Sequence, residues 1–367
     1  MKMSKKWLLG LGMLAFGVGL VGCGSGSSSK GKEATDFPES TPEALKKETK
    51  IMVIRKIGGD DHTAQYLAGA KSEGESLGFT VDTFSANGDT AKFHDAIKQA
   101  GDKKYDGVII SHGDDAATAQ GVKELTDKGI PVVTFDSVAE ISEIEGVTMT
   151  SQNDEELANL ALEELHRRLG DKANFAYLWV DGLVPMVKRN KIYTSFMEKN
   201  PGYKELDRYG VVAADTSVQT QNAVGAMLTK HGKGKMDGIF ATWDAFGMGA
   251  YRALEEANRD DVTLVSIDVS NADLQAMQAE NSPWVATAAC DPKLIGEINM
   301  RILAKKIAKE ETPAEYTIAP TLITQEQLKE HGSDVTMENL PEVVEGWGKS
   351  DEFVEPWMTD LKESNQK

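Results

Sequence analysis

Cysteine is almost absent from this chain: 367 residues hold two, Cys23 and Cys290. No disulfide framework can be built from them, so the fold must be held by its core, which this length permits. Histidine is sparse too, and His62, His94, His112, His166, His231 and His331 lack metal-ligand spacing. There is no Gly-x-Ser-x-Gly elbow for a serine hydrolase and no Gly-x-x-x-x-Gly-Lys-Ser/Thr loop to cradle phosphate. Positive charge is in deficit, 40 Lys+Arg against 58 Asp+Glu, for a net charge of −18. A nucleic-acid partner, whose phosphates need a basic face, is excluded. No resident cofactor or metal is expected.

What is present begins with an address. Lys2, Lys5 and Lys6 precede an apolar stretch, Trp7 to Val21, that is too short and Gly-rich for a spanning helix. It ends in Leu20-Val21-Gly22-Cys23, which resembles the bacterial lipobox. That resemblance makes 1–22 a lipoprotein signal peptide and Cys23 the lipidated residue, a membrane anchor without a span. Residues 23–48, rich in Gly, Ser, Lys and Glu, read as a flexible tether. The body beyond is long enough for two domains.

One pattern recurs in that body. Asp106-Gly107-Val108-Ile109-Ile110-Ser111 leads into a helical stretch, 116–128, and closes with Ile130-Pro131-Val132-Val133-Thr134-Phe135-Asp136. Asp237-Gly238-Ile239-Phe240-Ala241-Thr242-Trp243-Asp244 does the same through 246–257, closing at Val265-Ser266-Ile267-Asp268. Each is about 30 residues, the span of one βαβ unit with buried parallel strands. Strands at 50–54 and 79–84 precede the first unit. Strands at 175–180 and 211–214 precede the second, with helices between. The fold class is α/β: two similar Rossmann-like lobes with parallel sheets. Strands near 146–150, 284–290 and 316–324 form a multi-strand hinge. The boundaries expected are 49–149 with 291–315 for one lobe, 150–290 with 316–330 for the other, and 331–367 as an extension.

Ligands of open α/β sheets bind beyond the carboxyl ends of the strands. Asp136, Trp243, Asp244 and Asp268 fall there, and Asp60 in the first strand–helix loop. Carboxylates accept hydrogen bonds from hydroxyls, an indole offers a flat face to C–H groups, and Lys56, Arg189 and Asn190 supply donors. This inventory suits a neutral polyhydroxylated ligand. Whether Arg189 or its neighbour Asn190 faces the ligand is open.

These residues resemble a family. Ile130 to Asp136, Phe240-Ala241-Thr242-Trp243-Asp244 with Gly249-Ala250-Tyr251-Arg252-Ala253-Leu254, Ser266-Ile267-Asp268 and Cys290-Asp291-Pro292 with Ile295-Gly296 are similar to the sugar-binding lipoproteins of bacterial ABC importers. Their fold is the type I periplasmic binding protein fold of ribose- and galactose-binding proteins. The resemblance covers roughly 50 to 325 and implies ligand contacts at Lys56, Asp60, His62, Ser111, Asp136 and Ser137. In the second lobe it implies Asn190, Asp215, Trp243, Asp244 and Asp268, with Cys290 at the hinge. Departures include His62-Thr63 where aromatic rings are usual, Ser137 where Arg is common, and Cys290 where Gln is common. The expected protein is a monomeric, extracytoplasmic, lipid-anchored receptor for a monosaccharide or polyol, serving an ABC permease and its ATPase. The alternatives are a receptor for a nucleoside, quorum signal or other small polar ligand feeding a sensor, and a carbohydrate hydrolase.

Overall fold

Gly107–Ser111 (β3) and Val132–Phe135 (β4) bury every residue, which a strand does when helices cover both faces of its sheet. The computed structural model describes residues 37–59, 61–213, 215–332 and 334–366; Cys23 and Asp60 lie outside them. The described strands form two six-stranded sheets. The first has the order β11 (Glu315–Ile318), β5 (Thr148–Gln152), β4, β3, β1 (Lys50–Arg55), β2 (Thr80–Ser85), with every pairing parallel. The second has the order β12 (Thr321–Thr324), β10 (Trp284–Ala289), β9 (Thr263–Ile267), β8 (Gly238–Ala241), β6 (Ala173–Leu178), β7 (Tyr203–Tyr209). Only the β12–β10 pairing there is antiparallel. Strand for strand the two orders correspond, so the duplicated pattern in the sequence is a duplicated sheet.

Helices α1 (Asp61–Ser76), α2 (Thr90–Asp102), α3 (Ala116–Asp127) and α9 (Pro292–Ile307) cover the first sheet. The second carries α4 (Asp154–Leu169), α5 (Val184–Lys199), α6 (Thr216–Lys230), α7 (Asp244–Glu256), α8 (Asn271–Gln278) and α10 (Gln325–Glu330). Helices α1 and α9 touch backbone to backbone. A Cβ on Gly69 would lie 2.0 Å from the Lys293 carbonyl oxygen, and one on Gly296 2.2 Å from that of Tyr66.

The chain passes between sheets after β5, after β10, and between β11 and β12. The stretch expected as one strand over 316–324 is thus two, one in each sheet. Pro320 separates them, since its missing N–H and fixed φ end a ladder. The short strand expected at 211–214 is instead β7, whose polar sequence Tyr-Lys-Glu-Leu-Asp-Arg-Tyr suits an edge and has no apolar run. From Phe37 onward the expected tether is packed on the first lobe: Leu45 and Thr41 are buried, and Ser40 Oγ donates to Asp360 at 2.5 Å. Leu45 joins the first-lobe core and Phe37 packs against it, which seats a segment whose composition reads as linker.

The extension also has structure. Val335, Met337, Leu340, Val344 and Trp347 join the second-lobe core, with α11 at Leu340–Val343. Trp357, Met358 and Leu361, on α12 (Pro356–Asn365), join the first-lobe core.

Candidate functional site

Asp136 follows β4 and Asp268 follows β9, the equivalent strand of the other sheet. Both have left-handed backbones, φ 45° and 71°, as does His112 after β3 at 64°. Aspartate tolerates this conformation better than most residues because its short side chain bonds locally. The turn aims each carboxylate past its strand end, and such strain gathers at functional sites.

In the second lobe the organising group is Arg189, 2% exposed. Its Nε donates to Asp154 Oδ1 at 3.0 Å, Nη1 to the Thr242 carbonyl at 2.6 Å and to Asp268 Oδ2 at 3.2 Å, and Nη2 to Asp268 Oδ1 at 3.5 Å. The two neighbours on α5 point to different partners. Arg189 turns toward the strand ends, whereas Asn190 accepts from the Tyr177 hydroxyl at 3.3 Å on β6. Asp136 feels this cluster from the first lobe. Loss of solvation, then the Asp154 charge, raise its carboxyl to about 7, against the pull of Arg189 and Lys188 and the Gln152 N–H. A carboxylate held so high gains most from a partner that donates hydrogen bonds.

In the first lobe the organising group is Arg55, at the end of β1 and 2% exposed. It donates to Thr63 Oγ1 at 3.0 Å, Ser111 Oγ at 3.1 Å and His62 Nδ1 at 2.9 Å, and lies 4.8 Å over the Tyr66 ring. Arginine only donates, so His62 Nδ1 accepts and the proton of the neutral ring sits on Nε2. Burial and then the Arg55 charge push both His62 and His112 well below the usual histidine range, so both rings are neutral at pH 7. His112 Nδ1 lies 2.7 Å from Ser111 Oγ.

Other residues expected at the site are placed as follows. Trp243 is half-buried at the start of α7, its ring edge-on to Phe246 at 5.6 Å, with Asp244 accepting from the Ala245 N–H. Ser137 is buried and donates to the Phe135 carbonyl at 3.3 Å. Cys290 follows β10, its thiol pushed up by burial and by Asp268 and Asp136, and Sγ lies 3.6 Å from the Ile318 carbonyl oxygen. Asp136, Asp268 and Cys290 therefore share one region beside the crossing strands. Lys56 is paired with Asp114. Asp215 is exposed at the start of α6 and accepts from Gln219, with no bond shown to the Arg189 cluster.

Arg55 and Asp154 were not anticipated. Of the Arg-Lys pair that closes β1, only Lys56 was expected at the site, and Asp154 reads as a first-turn acid of α4. A signal for Arg55 was available: Ile51 to Arg55 alternates such that Arg55 shares the face of Ile51 and Val53. The exposed large apolar side chains among the described residues are Ile57, two residues after β1, Leu183, Val184 and Val187 at the start of α5, and Val212 and Val218 around the start of α6.

The family profile described as Periplasmic binding protein domain matches residues 51–311. The chain belongs to that family. It is a type I periplasmic sugar-binding protein, of the solute-binding class of sugar ABC transporters. A sugar ABC transporter structure from Yersinia enterocolitica is 45% identical, covering 89% of this chain and 98% of its own, with a TM-score of 0.82. The 5-methylthioribose transporter solute-binding protein of Thermotoga lettingae, solved with 5-methylthioribose, is 30% identical over 89% of this chain and 99% of its own, with a TM-score of 0.78. The ribose import binding protein RbsB of Escherichia coli is 22% identical over 77% of this chain and 93% of its own. Relatives of this kind are extracytoplasmic, non-enzymatic parts of importers.

Proposed function

We propose that this protein closes its two lobes around a monosaccharide or polyol and hands it to an ABC permease, held at the membrane by lipid on Cys23. The observation that carries the reading is that the carboxyl of Asp136, in one lobe, feels the charges of Asp154 and Arg189 in the other. Ligand stabilises the closed form only through contacts made by both lobes, and these groups come one set from each. Lys56, Asp60, His62, Ser111, Ser137, Asn190, Asp215, Trp243, Asp244 and Cys290 are proposed to complete the site.

Within this class the exposed apolar side chains at the starts of α5 and α6 favour a sugar that carries an apolar substituent, since they gain by covering one. The methylthioribose-bound relative supports that preference.

A thermal-shift screen over pentoses, hexoses, polyols, nucleosides and 5-methylthioribose tests the reading, because a ligand bound only to the folded state raises Tm by mass action. The expected result is a shift with one sugar class, abolished by Trp243→Ala or Asp268→Ala. A shift confined to nucleosides would favour the sensor-type receptor, and recovery of altered sugar would favour a hydrolase. Cys23→Ala should release the protein from the membrane fraction; retention there would remove the anchor.

A further inference from the structure

The lobes meet at a contact none of the proposed ligand groups makes. Asp61, the first residue of α1, places Oδ2 at the start of α8 in the opposite lobe. There it accepts from the Asn271 backbone N–H at 3.0 Å and from Asn271 Nδ2 at 2.8 Å. Ser270 and Asp273 satisfy each other in a reciprocal cap at this helix end, which leaves the Asn271 N–H for a partner from outside. A carboxylate is the favoured partner at the positive end of a helix. The last polar atom of Asn271 is also spoken for: Oδ1 accepts from the Met337 N–H at 2.9 Å. Met337 is buried in the second-lobe core with Val335 and Leu340. The Asn271 amide is thereby oriented, oxygen to the C-terminal extension and nitrogen to Asp61.

We propose that Asp61 and Asn271 form a latch that fastens the closed form, and that the C-terminal extension is its support. The contact spans the lobes, so its free energy belongs to the closed state alone. A contact of this kind slows release and leaves the encounter with ligand unchanged. Asn271 is a positioning residue: it holds the first lobe in place and need not touch the sugar.

Amide hydrogen exchange on the protein saturated with sugar, and so closed, reads the latch directly. Asp61→Ala removes the acceptor, and exchange at the Asn271 N–H should quicken about tenfold. Asn271→Ala should quicken exchange at Met337. With 5-methylthioribose and D-ribose as probes, stopped-flow release should rise about tenfold in Asp61→Ala, with association within about twofold of the parent protein. Asp61→Asn keeps an acceptor oxygen and loses the charge, so it should fall between the two and lose salt sensitivity. Unchanged exchange at Asn271 overturns the proposal. So does slowed association with unchanged release, which would make Asp61 a ligand contact. If neither sugar binds, the sugar reading fails by itself, and the same exchange comparison, made with the ligand that the thermal-shift screen returns, decides the latch.

Discussion

A guanidinium taken out of water must place its N–H groups on acceptors or forfeit several kcal/mol. Arg189 places them on Asp154, Asp268 and the Thr242 carbonyl, so removing it strands two carboxylates. Arg189→Met should cost about 3–5 kcal/mol in urea unfolding and abolish any sugar-induced thermal shift. Asp136 gives the pH counterpart. Its folded-state carboxyl is raised to about 7 by burial and Asp154, whereas the unfolded value is about 3.9. The folded state therefore holds this proton more tightly, and the group's contribution is full below the unfolded value and lost as pH rises toward 7. Asp136→Asn keeps the neutral form at every pH. Its Tm relative to the parent should climb between pH 5 and 8, and a flat difference would remove the assignment. A hydroxyl donating to the ionised carboxylate runs the other way: sugar affinity should increase from pH 5 to 8 with release of a proton, measurable by titration calorimetry in two buffers. The site was partly legible. Asp136 and Asp268 could be placed because a strand end fixes where a residue goes. Arg55 was legible only through the alternation that puts it on the face of Ile51 and Val53, and Asp154 was not, because a first-turn acid of a helix ordinarily faces solvent.

The parallel βαβ elements were legible for a related reason: buried strands are apolar throughout and announce themselves. Edge and crossing elements do not. Strand β7 is polar, and β11 and β12 look like one strand until Pro320 is given its effect on a ladder. Close approach of two helices leaves only a trace in sequence, a pair of glycines. Where α1 crosses α9, a methyl group at Gly296 would sit 2.2 Å from the Tyr66 carbonyl oxygen and 2.6 Å from the Ala70 nitrogen. Both atoms are backbone, so the helices must part. Gly296→Ala should destabilise by roughly 1–3 kcal/mol, the usual range for overpacking, read from the urea midpoint at unchanged slope. Displacing α1 also moves Thr63 and Tyr66 from Arg55, so sugar affinity should fall as well. Gly225 meets nothing within 4 Å and serves as control, with Gly225→Ala neutral or slightly stabilising.

Across the whole molecule, the extension after α10 is a fourth strand of chain joining the lobes. Trp347, 2% exposed, packs in the second-lobe core, and Trp357, 6% exposed, packs in the first, its indole N–H donating to Glu310 at 2.8 Å. Between them Arg301 Nη1 on α9 holds the Ser350 carbonyl at 2.8 Å. Each tryptophan replaced by alanine should cost about 3–5 kcal/mol, as for other large-to-small core changes. The two lie in different cores with no shared partner, so independent anchors would add to within about 0.5 kcal/mol in the double variant. A strap behaves differently. Once one end is free, the other holds a segment that no longer spans the lobes, and the second substitution should cost less than it does alone. Trp347→Ala should also loosen Met337, and with it the orientation of Asn271, whereas Trp357→Ala should leave the Asn271 amide protected. Calorimetry of the two single variants and the double one, with exchange at Asn271 in each, separates an additive pair of anchors from a strap that supports closure from one end.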